Sequence, residues 1–367
     1  MLTVADGELR CTRIFDVADT LDLERCLALI TQGGADPRRL SLRREGSEYL
    51  QLSEPPLLVA LGPRRLSVGG GERAVRVEAT LFHHGAISIT VQVPVEAGST
   101  FETLTPLADE LYDSRALDAL ALDEVNKLSR TLAPAHRAPH RWDQNEGYTV
   151  VFVRRFGGAT SADEVLAAPG LARLLLGEQR EPRLSAAEEA EVLGHHFSYT
   201  PEDLVVIEWN AALVYEPSGS EDVVDLLEIA NAQLLELRYY DQVLDQELAR
   251  MYEVVGRQHS SLLRSPYKQA MREQLRTLIE LSSFLERVEN VLKIVGDVYL
   301  ARVYEAALKQ LRVVQWTAQV SRKHRLLQQI YELMKGEVDT GRALTLETMV
   351  VLLILLEIVL AFTRLGH

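Results

Sequence analysis

A run of apolar residues near the end of the chain constrains the fold more strongly than any other feature. The 17 residues Leu346–Phe362 form the most hydrophobic stretch, and only Glu347 and Glu357 interrupt it. A helix of this length measures about 26 Å, which is at the lower limit for crossing a bilayer. The run predicts a C-terminal transmembrane helix within residues 343–363, or alternatively a buried core helix of a soluble oligomer.

The charged side chains in this run decide how easily it enters a membrane. An ionised Glu357 costs on the order of 3 kcal/mol inside the bilayer, whereas each large apolar residue contributes roughly −0.3 to −0.6 kcal/mol. The apolar residues more than offset Glu357, and the terminal position of the run favours an anchor. The predicted anchor residues are Leu346, Glu347, Leu353, Ile354, Glu357 and Phe362.

A long heptad pattern precedes the apolar run. Ten positions from Val223 to Val255 alternate steps of four and three residues, and nine of them are apolar. A seam of this length predicts a coiled-coil-like helix that packs in an oligomer or against neighbouring helices. Asp241 is its one polar member, and it either fixes the register or is hydrated at the mouth of a bundle. The central seam residues are Leu227, Leu234, Leu237, Asp241, Leu244 and Leu248.

The sequence upstream of the seam predicts an α+β fold. Alternation of apolar and polar residues predicts a hairpin from Val75–Phe82 and Ala86–Val93, and Thr100–Leu132 is predicted to form one long helix. Hairpins mixed with helices, without strict alternation, are typical of the α+β class. We therefore predict an α+β N-terminal head, a long α-helical, coiled-coil-like stalk and a C-terminal hydrophobic helix.

These patterns divide the chain into four predicted segments. Residues 1–70 are predicted to be rich in strands and turns, and residues 71–217 to form an α+β domain with hairpins. Residues 218–336 are predicted to form the long helices, with a polar hinge at 336–341 before the transmembrane candidate at 343–363.

Composition limits the compartment and the partners. The formal net charge of −14 disfavours direct binding to nucleic acid. The chain has two cysteines, Cys11 and Cys26, which cannot make a disulfide framework. Acidic residues in the first 30 positions exclude a signal peptide. The bulk of the protein is therefore expected in the cytoplasm, where it is made.

No catalytic, cofactor-binding or metal-binding residue is predicted from motifs. The sequence lacks the nucleophile-elbow, zinc-protease, dinucleotide and kinase patterns. Adjacent histidines on a strand face opposite sides, so neither adjacent pair can chelate a metal alone. A metal site would require loops to bring together the following histidines: His83, His84, His136, His140, His195 and His196.

Three segments together carry a family resemblance. The tail shows Leu346-Glu347, an aliphatic run and then Leu353-Ile354 before Glu357, with Thr348 at a position where the family has Trp. The other two segments are 82–87, where His84 stands in place of a Tyr, and 226–233. This pattern resembles the required-for-meiotic-nuclear-division family of sporulation and mitochondrial proteins, over residues 75–362. The resemblance implies an α+β domain, a helical region, one C-terminal transmembrane helix and a scaffold role without catalytic residues.

These observations lead to one main hypothesis and two alternatives. The chain is expected to be a tail-anchored, non-enzymatic membrane scaffold of the bacterial inner membrane. Its partners would be the membrane, other copies of itself and a cytoplasmic protein bound by the head, with no cofactor. One alternative is a conductance or transport accessory, in which the C-terminal helix lines an oligomeric axis. The other is a metal-dependent enzyme with its site in the head.

Overall fold

The chain has an α+β fold, as its sequence predicts. The computed structural model describes residues 2–43, 49–52, 54–158, 160–177, 184–256 and 298–365, with scattered positions between 275 and 293. A large mixed sheet dominates the N-terminal part, and long helices dominate the C-terminal part. The chain divides into two compact units, Met1–Tyr239 with Val288–Trp316, and Tyr240–Arg287 with Thr317–His367.

A nine-stranded sheet organises the first unit, counted over the described residues. Neighbouring strands are antiparallel except for one parallel pair, β10 and β13, which requires a crossover connection. In spatial order the strands are β11 (His196–Phe197), β12 (Leu204–Ile207), β13 (Ala211–Tyr215), β10 (Asn145–Phe156), β1 (Val4–Asp16), β8 (Ala86–Pro94), β7 (Gly71–Leu81), β6 (Leu57–Val68) and β3 (Arg38–Arg39).

Two smaller sheets and nine helices complete the described elements. Strand β2 (Ala18–Leu21) pairs with β9 (His136–Pro139), and β5 (Tyr49–Leu52) pairs with β4 (Leu42–Arg43) and β14 (Leu292–Lys293). The helices are α1 (Leu23–Gln32), α2 (Phe101–Tyr112), α3 (Arg115–Thr131), α4 (Ala162–Leu166), α5 (Leu171–Leu176), α6 (Ala186–Leu193), α7 (Asp222–Gly256), α8 (Val298–Gln310) and α9 (Val313–Leu365), with a 3-10 turn at Ala133–Ala135.

One face of the large sheet carries the main hydrophobic core. Leu9 and Cys11 of β1 and Ile89 and Val91 of β8 are fully buried on this face. Apolar residues of α1, α2, α3 and α5 belong to the same core. Because side chains alternate along a strand, the residues between these positions face the other side of the sheet. Both cysteines are buried and unpaired.

The sheet does not follow the segment boundary predicted at residue 70. Strand β1 lies in the middle of the sheet, between β8 and β10, and β6 pairs with β7. Residues 1–70 and 71–217 therefore build one sheet. Backbone pairing between distant segments produces this arrangement, and the local pattern of either segment does not contain it.

The predicted helix Thr100–Leu132 is two helices, whereas the predicted hairpin of β7 and β8 is confirmed. The break falls at Asp113 and Ser114, where the Ser114 hydroxyl accepts a hydrogen bond from the Leu117 amide and caps α3. Apolar periodicity continues across the break, which is why the pattern predicted one helix.

The predicted hinge at residues 336–341 is also absent, because α9 continues through it. A glycine inside a helix costs only about 1 kcal/mol relative to alanine. Helix-forming neighbours offset such a cost. The predicted break after Gly256 lies outside the described residues.

The heptad seam is buried within a single chain. Leu227, Leu234 and Leu237 are buried in the first unit, and Leu244 and Leu248 in the second. Tyr304 of α8 donates a hydrogen bond of 2.7 Å to Gln233 of α7 in the first unit. The burial of these leucines therefore does not require a second copy of the chain.

Asp241 of the seam forms an ion pair in the second unit. Lys323 of α9 places its Nζ 2.7 Å from Asp241 Oδ1 and 2.6 Å from Asp245 Oδ1. Gln319 donates a further hydrogen bond of 3.0 Å to the same Asp241 oxygen. This polar contact ties α7 to α9 at a defined register.

The apolar run lies in the last part of α9. Phe362 and the other residues after Ile358 lie outside the part of the chain whose side chains the structure describes. Within the described part, no helix is both long and apolar enough to span a bilayer. The other predicted anchor residues are exposed: Leu346, Glu347, Leu353, Ile354 and Glu357.

Candidate functional site

The face of the large sheet opposite the main core carries polar side chains, and we call it the polar face. The first turns of α7 lie against it, since Asp225 and Glu228 enclose the same small cavity as Arg10 and Thr12 of β1. The polar face comprises Glu8, Arg10 and Thr12 of β1, Glu78 and Thr80 of β7, Ser88, Thr90 and Gln92 of β8, and Tyr148 of β10.

Arg10 is the central cation of the polar face. Its Nε donates to Glu8 at 2.8 Å, and its Nη2 donates to Glu221 at 2.5 Å. The guanidinium also lies 4.8 Å from the centre of the Phe152 ring. Although burial opposes it, hydrogen bonds to Glu221 and Glu8 raise the pKa of Arg10, so the side chain stays charged.

Glu8 is surrounded by three guanidinium groups. Besides Arg10, it accepts hydrogen bonds from Arg154 at 3.0 Å and from Arg76 at 3.2 Å. Burial alone would raise the pKa of Glu8, but Arg10 and Arg154 hold it below its usual value. This carboxylate is therefore ionised and fully compensated.

Three other carboxyl groups line the same small cavity, Glu78 on β7 and Asp225 and Glu228 on α7, and their pKa values are raised. Burial raises the pKa of Asp225 well above its usual value, and the neighbouring Glu228 and Glu221 raise it further. Burial likewise raises the pKa of Glu228 and of Glu78. All three side chains are partly exposed, so water contributes to their solvation.

Two buried oxygens in this cluster also lack good hydrogen bonds. Ser88 and Thr80 lie close enough to Glu228 for their hydroxyl groups to lower its pKa, but no hydrogen bond of normal length and angle reaches Glu228 Oε1 or Ser88 Oγ from a described residue. The Ser88 side chain is completely buried. Glu228 therefore makes its polar contacts with hydroxyl groups of β7 and β8.

A cleft of about 400 Å³ opens beside these carboxyl groups. Arg38 and Arg39 of β3 line it together with Glu221, Asp222 and Asp225, so it contains both cations and anions. Leu58, Glu221 and Asp225 line both the cleft and the small cavity of the polar face. The size of the cleft lies in the range of small-molecule sites.

The cleft carries arginine, aspartate, glutamate and serine side chains on its described walls. Its described lining contains neither histidine nor cysteine, so we assign no nucleophile and base to it. Across the described residues, no three His, Cys, Asp or Glu side chains come together in a way that could hold a metal ion.

A second polar cluster surrounds His140 in the same unit. Its Nε2 lies 2.9 Å from Asp16 Oδ2, and its Nδ1 lies 3.4 Å from Asp19 Oδ1. The imidazole stacks on Tyr239 with 4.9 Å between ring centres. Burial opposes a charge on the ring, but the contacts with Asp16 and Asp19 raise the pKa of His140 to about 10.

The comparisons with known proteins give one family. The family described as "Uncharacterized protein MJ0711, N-terminal domain" matches residues 6–221, more than half of the 367-residue chain. The chain belongs to this family. The matched region includes Glu8, Arg10, Glu78 and Glu221 of the polar face and its edge, as well as His140.

The MJ0711 family match is supported by one curated relative. "Uncharacterized protein MJ0711" from Methanocaldococcus jannaschii is 29% identical over 175 residues, which is 47% of this chain and 53% of the relative. The chain therefore spans about half the length of the relative that it matches. No solved structure gives a significant match. The resemblance to the required-for-meiotic-nuclear-division family stays a prediction.

The predicted sites and the clusters described above are different residues. The anchor and seam residues lie in α7 and α9, which follow the MJ0711 family segment in the chain. The polar face was missed, although Glu8, Arg10 and Thr12 alternate with apolar residues on a strand. That alternation indicates a polar face, but it does not show that a helix covers it.

We expect the His140 cluster to make stability depend on pH. The folded-state pKa of about 10 lies above the ordinary value of 6.5, so the folded state binds the proton more tightly. Its contribution is complete below about pH 6.5 and is lost as the pH rises through about 10. The loss should reach roughly 1–3 kcal/mol in urea unfolding measured across that window.

His140→Gln should largely remove this pH dependence, because the amide cannot carry the charge. His196→Gln is the matched control, since His196 is exposed and the hydrogen bond of its ring in the described structure is with the Leu193 carbonyl, not with a carboxylate. Parallel pH profiles for the wild type and His140→Gln would contradict the role of this ion pair.

Proposed function

We propose that this protein is a non-enzymatic, membrane-attached scaffold. The apolar end of α9 enters the bilayer, and the sheet unit is presented to a partner in the cytoplasm. The exposure of the apolar run is the observation that carries the proposal. The exposed apolar side chains are Leu346, Met349, Val350, Val351, Leu352, Leu353, Ile354, Leu355, Leu356 and Ile358.

The distribution of these side chains favours lipid over a protein partner. Eight of them occupy the consecutive positions Met349–Leu356, so they cover every side of the helix. A helix that packs in a soluble assembly requires an apolar stripe on one side only, whereas a helix in lipid is apolar all round. A helix inserted in a bilayer contacts lipid on every side, so its apolar sides need no separate protein partners.

The energies of insertion agree with this choice. Ten apolar residues at roughly −0.3 to −0.6 kcal/mol each contribute about −3 to −6 kcal/mol. Glu357 opposes them with about 3 kcal/mol. The residues Leu346–Ile358 alone make a helix of about 20 Å, which is too short for a hydrocarbon core of about 30 Å. Insertion would therefore extend to Phe362, where the apolar sequence ends.

We do not place self-association in the heptad seam. Its leucines are buried within one chain, and Asp241 is paired with Lys323. If the protein forms homo-oligomers, contacts between the inserted helices are the simpler route.

Membrane attachment can be tested by flotation with phosphatidylcholine vesicles. The full chain should float, and a chain truncated after Arg342 should remain at the bottom of the gradient. Leu353→Lys places a charge in the middle of the apolar run and should cost about 3 kcal/mol, or roughly a hundredfold in partitioning.

The matched control is Leu333→Lys in the same helix. Leu333 is 72% exposed but lies upstream of the apolar run, so its replacement should leave flotation unchanged. If the vesicles floated and the full chain stayed in the bottom fraction, membrane attachment would be refuted.

A further inference from the structure

We propose that the joint between α8 and α9 is a conformational switch. In one state, which the structure shows, the chain is bent at Arg312. In the other state, α8 and α9 form one continuous helix, and Val314 is buried in place of Val313. This switch goes beyond the scaffold function and does not depend on membrane attachment. The joint and the residues that contact it belong to the first unit.

Arg312 has an unusual backbone conformation at the bend. Its φ is +54°, in the left-handed region, which a residue with a side chain adopts only at a cost in free energy. Helices that end in this conformation commonly have glycine there, because glycine does not carry that cost. The sequence contains neither glycine nor proline between Val298 and Lys335. Local sequence therefore favours a continuous helix, and contacts with other parts of the chain hold the bend.

The turn between β12 and β13 supplies contacts that hold the bent joint. The Arg312 guanidinium lies 5.3 Å from the centre of the Trp209 ring, which is a cation–π contact. Gln310 of α8 donates a hydrogen bond of 3.3 Å to Glu208, the residue before Trp209. The Trp209 side chain is 37% exposed, and a cation–π contact in water is weak. These contacts can therefore form and break without unfolding the sheet.

The apolar pattern of α8 continues past the bend. Its buried stripe has a spacing of three and four residues: Leu300, Tyr304, Ala307 and Leu311. In a continuous helix the next member of this stripe would be Val314, since residues at this spacing share a face. Val313 would lie on the opposite side, because each residue advances about 100° around the axis. In the bent joint, however, Val313 is 2% exposed and Val314 is 59% exposed.

This exchange of valines makes the two states similar in free energy. Each state buries one valine side chain, so the hydrophobic contribution changes little between them. Straightening relieves the left-handed backbone of Arg312 and gives the amides of Val314 and Gln315 carbonyl partners four residues earlier. It loses the contacts with the Trp209 turn. Two packings of the same residues that differ little in free energy are the basis of a switch.

Spin labels at Arg302→Cys and Gln315→Cys measure the state of the joint on the full chain. Both positions are exposed and belong to the first unit. The native Cys11 and Cys26 are completely buried, so the labels attach to the introduced thiols. A continuous helix would place the two labelled Cα atoms about 20 Å apart, at about 1.5 Å per residue. We expect double electron–electron resonance to show a main peak for the bent joint and a smaller peak for this helical distance.

Two variants of Arg312 should shift these populations in opposite directions. Arg312→Ala keeps the backbone cost of the bend, removes the contact with Trp209 and favours helix, so the helical population should rise at least threefold. Arg312→Gly adopts the left-handed conformation freely and disfavours helix, so it should lose that population. Lys309→Ala is the control, because it removes an exposed cation within α8 and should change neither peak. Equal distance distributions in the two Arg312 variants would overturn the proposal.

Val314→Asn tests the exchange of the two valines. In the bent joint this side chain is exposed, so the single variant should fold normally and keep the main peak. In a continuous helix the asparagine would enter the buried stripe, where a polar group is costly. Adding Val314→Asn to Arg312→Ala should therefore remove the helical population. Persistence of that population in the double variant would contradict the exchange.

Hydrogen exchange of residues 311–316 gives a measurement without labels. The added helical hydrogen bonds should slow exchange in Arg312→Ala relative to Arg312→Gly. Equal exchange in these two variants would again count against the switch. Leu353→Lys, which should abolish flotation, should leave both the distances and the exchange unchanged. Failure of the switch and failure of membrane attachment are therefore distinguishable.

Discussion

Arg10→Met is expected to lower the free energy of unfolding by about 3–5 kcal/mol, the usual result of removing one partner of a buried ion pair. The substitution conserves most of the side-chain volume, so the loss comes from charge. Glu221 would lose its buried partner, and Glu8 would keep only Arg76 and Arg154. Chemical denaturation at neutral pH measures the effect.

Arg76→Met is the matched control for this prediction. Arg76 binds the same Glu8 at 3.2 Å, but its side chain is 67% exposed. Exposed ion pairs contribute about 0–1 kcal/mol, so the variant should be nearly as stable as the wild type. The penalty of Arg10→Met should also shrink at strongly acidic pH, where Glu8, whose pKa is lowered by Arg10 and Arg154, takes up a proton. If both variants lost the same small amount of unfolding free energy, α7 would not exclude water from the polar face.

Gly85→Ala is expected to cost about 3–5 kcal/mol, by adding backbone strain to a steric overlap. Gly85 has a φ of +99°, and a Cβ at this position would lie 1.6 Å from the Ala18 carbonyl oxygen. The turn between β7 and β8 packs against the start of β2 here, and the Val17 amide donates to the Gly85 carbonyl at 3.1 Å. The backbone must therefore move to accept even one methyl group. Thermal and urea unfolding measure the loss.

Gly70→Ala separates the strain from the overlap. Gly70 also has a positive φ, of +72°, but a Cβ there meets no atom within 4 Å. This variant should lose only the strain of the left-handed backbone, about 1–2 kcal/mol. If the two alanine variants were equally stable, the close approach at Gly85 would be wrong. Gly85 also lies in the segment 82–87 that resembles the required-for-meiotic-nuclear-division family. The close approach to the Ala18 carbonyl is a physical reason for a glycine at this position.

The elements with local periodicity could be predicted well from the sequence. The hairpin of β7 and β8 follows from alternation of apolar and polar residues, and α7 follows from the heptad seam. In both cases the signal is contained in a continuous stretch of chain. The ends of helices were predicted less well than their existence, because α3 begins after Ser114 although the apolar periodicity continues past this residue.

The candidate site could not be predicted in the same way. Its parts are β1, β3, β7 and α7, and the ion pair of Arg10 with Glu221 joins residues 211 positions apart. Charged residues such as Asp225 on a helix, or Glu78 on a strand, are usually solvated. No local pattern distinguishes a solvated charge from one that is covered by a distant helix.

The sequence by itself determined the α+β class, the long seam helix and the uniformly apolar run near the C-terminus. Each depends on the period of hydrophobic residues along the chain, which is a local property. Only the tertiary structure decided that β1 lies at the centre of one sheet, that α7 covers its polar face, and that Arg10 is buried there. Periodicity shows that an element has two unlike faces, but the element that covers each face is chosen by pairing between distant segments.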